Sequence, residues 1–77
     1  MTTIEYSVPS RTDVTIEIFN VLGQKVRTLV DETKTAGSYR VQWDGRDDAG
    51  SAVSTGLYLY RLSTGELVET RKMMLLK

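Results

Sequence analysis

The sequence predicts an all-β domain, a sandwich or a barrel, and three observations carry that prediction. Large apolar residues recur with period two in four separate runs, which is the spacing of a strand with one buried face. The 6 glycines and the sole proline fall between those runs or at their edges, where chain reversals need them. No stretch of ten or more residues carries the apolar spacing of an amphipathic helix.

Taken in order, Ile4, Tyr6 and Val8 alternate with Thr3, Glu5 and Ser7, and Pro9 closes this first strand because it cannot donate within a ladder. Val14, Ile16 and Ile18 alternate with Thr15 and Glu17 in a second. Val26, Leu29 and Val30 are spaced like one face of a helix, yet the segment is short and β-branched, so a strand with a bulge is expected. Asp31–Ser38 is polar and is expected to be an exposed loop. Tyr39, Val41 and Trp43 alternate with Arg40 and Gln42, and Tyr58, Tyr60 and Leu62 alternate with Leu59 and Arg61. Ser63-Thr64-Gly65-Glu66 joins two strand-like runs as a tight hairpin. The expected core is Tyr6, Ile16, Ile18, Val41, Trp43, Tyr58 and Tyr60. No internal repeat or interdomain linker is evident.

Composition narrows the function. A length of 77 residues fits one domain, residues 1–77, and leaves little surface to bury. Without cysteine there is no disulfide, thiolate metal site or thiol nucleophile, and without histidine the commonest general base is missing. The 10 basic and 10 acidic residues cancel, which argues against a nucleic-acid binder. The longest apolar run, Met73–Leu76, is far short of the roughly 20 residues of a membrane span. No basic stretch followed by an apolar one stands near Met1, so the chain reads either as a cytosolic mini-protein or, the better reading, as a module excised from a longer protein.

Four groups could carry chemistry. Asp44, Asp47 and Asp48 with Gly45 and Gly50 could wrap Ca²⁺, but Arg46 stands at a ligand position and no glutamate closes the loop, so a turn is the better reading. A Ser–Lys nucleophile is conceivable, but no motif brings such a pair together, and no enzymatic activity is expected. Trp43, Tyr39, Tyr58 and Tyr60 could stack on sugars, yet they share phases with Val41 and Leu62, which favours core packing. At the end, Arg71-Lys72-Met73-Met74-Leu75-Leu76-Lys77 breaks the alternation. It reads either as a central strand buried on both faces or as a terminal tag that a partner recognises. Residues so near a chain end fray and are expected to contribute least to the core.

Several strings together resemble one family. They are Asn20-Val21-Leu22-Gly23-Gln24-Lys25-Val26, Ala36-Gly37-Ser38-Tyr39-Arg40-Val41-Gln42-Trp43-Asp44-Gly45, Asp47-Asp48-Ala49-Gly50, Ser54-Thr55-Gly56-Leu57-Tyr58-Leu59-Tyr60-Arg61-Leu62 and Thr70-Arg71-Lys72-Met73-Met74-Leu75-Leu76-Lys77. The chain from Ile4 to Lys77 resembles the type A C-terminal sorting domain of type IX secretion cargo proteins. That domain is itself similar to the Ig-like domain of the flagellar hook-capping protein. The Asn-Pro segment that often precedes the first strand of the family is absent. The resemblance implies an Ig-like antiparallel β-sandwich of about seven strands. It further implies a non-catalytic signal, with no cofactor and no metal, that directs a covalently linked upstream cargo through an outer-membrane translocon. Such proteins belong to Bacteroidota and related phyla, pass through the periplasm, and reach the cell surface, where a sortase-like peptidase commonly removes the domain. Neither nucleic-acid binding nor membrane insertion is implied. Carried onto this sequence, recognition falls on Lys72, Met73, Leu75, Leu76 and Lys77. Gly23, Gly37, Trp43, Asp44, Gly45, Gly56 and Tyr58 match the structural motifs. The alternative is a structural Ig-like accessory or spacer domain of a multidomain extracellular or hook-cap-like protein, and a third reading is a calcium- or sugar-binding accessory module.

Overall fold

A computed structural model describes residues 2–76. Six strands follow one another: β1 (Thr2–Val8), β2 (Thr12–Phe19), β3 (Lys25–Lys34), β4 (Gly37–Trp43), β5 (Gly56–Ser63) and β6 (Val68–Leu75). No helix occurs among the described residues. Every pairing is antiparallel, and the strands form a two-stranded sheet, β1-β4, and a four-stranded sheet, β3-β2-β5-β6. The chain therefore changes sheet between β1 and β2, between β3 and β4, and between β4 and β5. The resemblance implied about seven strands, and six are present among the described residues. Where one more strand could lie, residues 44–55 hold a single isolated bridge, Arg46 to Ala52.

The core lies between the sheets and follows the period-two pattern. Ile4, Tyr6, Val8 and Trp43 face it from one sheet, and Val14, Ile16, Ile18, Val30, Tyr58, Leu62 and Leu75 from the other. Trp43 meets Tyr58 edge to face across the gap, with ring centroids 5.0 Å apart. Within the smaller sheet, the cross-strand partners Tyr6 and Tyr39 stack at 5.4 Å. Two residues expected inside, Val41 and Tyr60, are only half-buried and pack against the core from its rim. Val41 sits on β4, which has β1 as its one partner in a two-stranded sheet, and Tyr60 sits on β5, one strand in from the edge strand β6.

The helix-like spacing of Val26, Leu29 and Val30 has a simple cause. Opposite β2, the register slips between Ile16 and Glu17 and again between Ile18 and Phe19, which leaves Leu29 and Val26 as extra residues. Each bulge resets the in–out phase by one residue. Two resets turn strand alternation into spacings of three and one, and all three side chains pack on the core.

Two expected features are corrected. Asp31–Ser38 is not a loop throughout: β3 continues to Lys34, pairing Thr33 with Asp13 and Lys34 with Thr12, and β4 begins at Gly37. The C-terminal run is not a central strand buried on both faces. β6 is an edge strand that keeps its alternation, with Leu75 buried and Met73 half-buried while Met74 and Leu76 are exposed. Nor does this end contribute least to the core, because Leu75 is 1% exposed.

Candidate functional site

Three local constructions contain the residues that the sequence singles out. The first is the acidic segment. Asp47 Oδ1 accepts the backbone N–H groups of Ala49 and Ser51 at 3.0 and 2.9 Å, and the Gly50 N–H donates to Asp47 O at 3.0 Å. Asp44 Oδ1 accepts the Arg46 N–H at 3.1 Å and an Arg27 guanidinium N–H at 2.8 Å. These are side-chain-to-backbone turns of the kind aspartate favours. Gly45 is buried with φ of 76°, a left-handed conformation in which a side chain would be strained. That bend lets the chain pass under Trp43, whose indole N–H donates to Arg46 O at 2.9 Å. The segment therefore hangs from the core tryptophan. No cluster of three or more metal-ligating side chains converges among the described residues.

Asp48 does something the sequence does not announce. Its N–H donates to Val26 O at 3.1 Å, and its Oδ1 accepts the Thr28 N–H at 3.0 Å. One aspartate thus satisfies two backbone groups near the start of β3, one acceptor and one donor. It caps the first part of that edge of the four-stranded sheet.

The second construction occurs twice. Thr35-Ala36-Gly37-Ser38-Tyr39 and Ser54-Thr55-Gly56-Leu57-Tyr58 share the pattern hydroxyl-x-Gly-x-Tyr. In the first, the Tyr39 hydroxyl donates to Thr35 O at 2.6 Å and lies 3.2 Å from Thr35 Oγ1. In the second, the Tyr58 hydroxyl donates to Ser54 O at 2.7 Å and lies 3.5 Å from Ser54 Oγ. Each copy starts a strand immediately after the chain has changed sheet. Gly37 and Gly56 take nearly the same conformation, φ of 155° and 153°. The pair resembles the tyrosine corner of Ig-like sandwiches. A repeat of five residues does exist, then, although no internal repeat was expected.

The third is the hairpin tip between β2 and β3. Asn20 Oδ1 accepts the N–H groups of Leu22 and Gln24, each at 3.0 Å, and Asn20 Nδ2 donates to Gln24 Oε1 at 2.9 Å. Gly23, with φ of 81°, closes the turn. The Asn-x-Leu-Gly string is explained by these bonds, which leave Val21 and Leu22 standing in solvent.

The candidate recognition residues do not form one surface. On β6, Met73 and Leu75 face the core, while Lys72 is exposed on the outer side with Met74. Met74 lies directly across from Leu57, and Lys72 from Leu59. Leu76 is exposed beyond the strand, and Lys77 lies outside the described residues. Arg61 covers the Phe19 ring at 4.9 Å on the outer face and pairs with Glu17 at 3.0 Å. The aromatic residues considered for sugar stacking are in or against the core, with Trp43 and Tyr58 buried and Tyr39 and Tyr60 half-buried.

Two titrations are displaced from their ordinary ranges. Burial raises the Tyr6 phenol despite the opposing effect of nearby Lys34. The hydrogen bond to Glu32 raises the Lys34 ammonium. Lys34 also stands over the Tyr39 ring, 5.1 Å from its centroid. Lys34, at the end of β3 in the larger sheet, thus reaches a ring of the smaller one.

Comparison with known proteins agrees with this geometry. No curated protein matches the chain. The solved structure of FlgD from P. aeruginosa matches with a TM-score of 0.73 at 22% identity, which shows a common fold. The match covers 94% of this chain and 55% of that one, so the chain spans about half the length of its structural relative. The FlgD Ig-like domain family matches residues 1–71, which include both tyrosine corners, the acidic segment and the first half of β6. The chain belongs to the FlgD Ig-like domain family.

Proposed function

We propose that this chain is a structural, non-catalytic Ig-like accessory domain of a multidomain protein. The observation that carries this reading is the family match over residues 1–71, together with a relative of which the chain spans 55%. The polar chemistry that the sequence offers is used to build the domain. The aspartates hold turns and cap an edge, and the tyrosine hydroxyls latch the strands. The first and last strands also meet, since the Thr2 hydroxyl donates to Met74 O at 3.1 Å. A domain joined at either end would sit at that same end of the sandwich.

The type IX sorting signal is the second reading. It is favoured by the exposed outer side of the last strand, where Lys72, Met74 and Leu76 stand together near Leu57. In that reading an outer-membrane translocon reads this strip and a surface peptidase removes the domain. The protein then passes through the periplasm to the cell surface. One experiment separates the two. The parent protein carrying Met74→Ser and Leu76→Ser is followed in its host, with melting of the isolated domain as a control. A structural domain leaves delivery to the cell surface unchanged. Accumulation in the periplasm with an intact melting transition refutes the structural reading and establishes the signal. Deleting residues 74–77 is the poorer test, because it removes the buried Leu75 and unfolds the domain for another reason.

A further inference from the structure

The two edges of the four-stranded sheet differ, and the difference points to a partner. The β3 edge is capped by Asp48, whereas β6 has no strand, loop or side chain bonded along Val68–Lys72 on its far side among the described residues. A groove of about 320 Å³ runs beside it, lined by Tyr6, Tyr60, Leu62, Leu67, Glu69 and Arg71. We propose that β6 pairs antiparallel with β6 of a second copy of this chain, in the register that places Thr70 opposite Thr70.

Charge selects this register. A two-fold axis normal to a continuous sheet keeps each face on its own side, so some residue of β6 must stand opposite itself. Centring on Glu69 sets two carboxylates together, and centring on Arg71 or Lys72 sets two cations together, all unfavourable. Centring on Thr70 places Glu69 opposite Arg71 twice by symmetry, and Val68 opposite Lys72. Within one copy, Glu69 and Arg71 already lie on the same side, 3.6 Å apart. Two such pairs brought together form an alternating square of charges. The hydrogen bond from Thr2 to Met74 O occupies the end of β6 and leaves the window Val68–Lys72, whose middle residue is Thr70. On the outer face, Val68, which is 63% exposed, becomes a diagonal neighbour of the second copy's Met74, which is 54% exposed, so each covers the other.

The test is a charge-exchange experiment on the full chain by sedimentation equilibrium. The unmodified chain should show a concentration-dependent monomer–dimer equilibrium that weakens with added salt. Glu69→Arg alone and Arg71→Glu alone each place like charges across the axis, and each should weaken self-association roughly tenfold or more. An equimolar mixture of the two variants restores opposite charges at every position and should recover the heterodimer. Recovery in the mixture also shows that both variants are folded. The proposal fails if the unmodified chain stays monomeric at about millimolar concentration. It fails equally if neither reversal affects the dimer, or if the mixture of variants, each with an intact melting transition, remains monomeric.

Discussion

Along β3 the larger sheet ends under a cover, and along β6 it ends bare. The cover comes from 20 residues away in sequence, where Asp48 offers one N–H and one carboxylate oxygen to the backbone of Val26 and Thr28. The acidic segment that supplies it is fastened to the core through Trp43 and to β3 through the 2.8 Å pair between Arg27 and Asp44. At β6 protection is limited to charge, with Glu69, Arg71 and Lys72 at successive or alternate positions. Unpaired strand edges invite association, and proteins blunt them by covering or by charging them. This domain uses one device on each side. A cover works against any partner. A charge pattern works only against partners that do not match it.

Five substitutions would break or sharpen that contrast. Trp43→Ala should have the largest effect, because the indole is fully buried and also holds the cover in place through its bond to Arg46 O. A loss of about 3–5 kcal/mol is expected, enough to threaten folding of a domain this small. An unchanged melting temperature would contradict the assignment of Trp43 as the link between core and cover.

On the bare side, Leu75→Ala should cost about 2–5 kcal/mol, whereas Leu76→Ala should stay within about 0.5 kcal/mol. Urea titrations of the two variants measure the contrast directly. Equal effects would mean that the end of β6 does not alternate as described.

Asp48→Ala removes the carboxylate acceptor of the Thr28 amide but leaves the core intact, so about 1 kcal/mol is expected. Hydrogen exchange at Thr28 should accelerate while exchange on β5 stays slow. If Thr28 remains as protected as before, Asp48 is not the cap.

The smallest effect concerns pH and the smaller sheet. Tyr6 and Lys34 both have raised values in the folded chain. For Tyr6, the unfolded chain releases its phenolic proton first as pH rises past about 10, so it binds fewer protons than the folded chain there. Stability from this group is therefore present at lower pH and is lost as pH climbs through the unfolded and then the folded value. Lys34, raised by its bond to Glu32, acts in the same direction. The melting temperature should decline above about pH 10, and Tyr6→Phe should flatten part of the decline. A decline of identical slope in Tyr6→Phe would remove Tyr6 from the account.

How much of this was legible depended on whether one face was buried. β2 was clear because Val14, Ile16 and Ile18 are all fully buried and the residues between them are not. The bulged strand was legible too, since β-branched residues in so short a segment do not suit a helix. The outer half of β3 was not. Asp31–Lys34 has no buried side chain, so no hydrophobic period marks it, and its pairing rests on backbone bonds and on the Thr33 hydroxyl donating to Asp13 at 2.6 Å. The end of β6 was hidden for the opposite reason. Met74 and Leu76 are apolar on the outward side, so an alternating strand looks like a continuous run. In the acidic segment the turn chemistry was readable from Asp and Gly. Its target was not, because nothing local links Asp48 to Thr28. The tyrosine corners were legible in the shared hydroxyl-x-Gly-x-Tyr pattern of Thr35–Tyr39 and Ser54–Tyr58, five residues that carry no hydrophobic period of their own.

Those corners have a consequence for the order in which the chain assembles. The pairings that define this fold are distant in sequence: Thr2 meets Trp43 and Thr15 meets Ser63. Such contacts gain little until long loops have closed, and folds dominated by them form slowly. A tyrosine hydroxyl reaching the carbonyl 4 residues earlier closes a loop too short to carry that entropy. Loops of about ten residues already close in roughly 10–100 ns. Two of the three places where the strand path leaves one sheet for the other, those before β4 and β5, are thus bent by neighbours in sequence, before either sheet exists to receive them. The slow search is left with deciding register, and no longer with deciding direction.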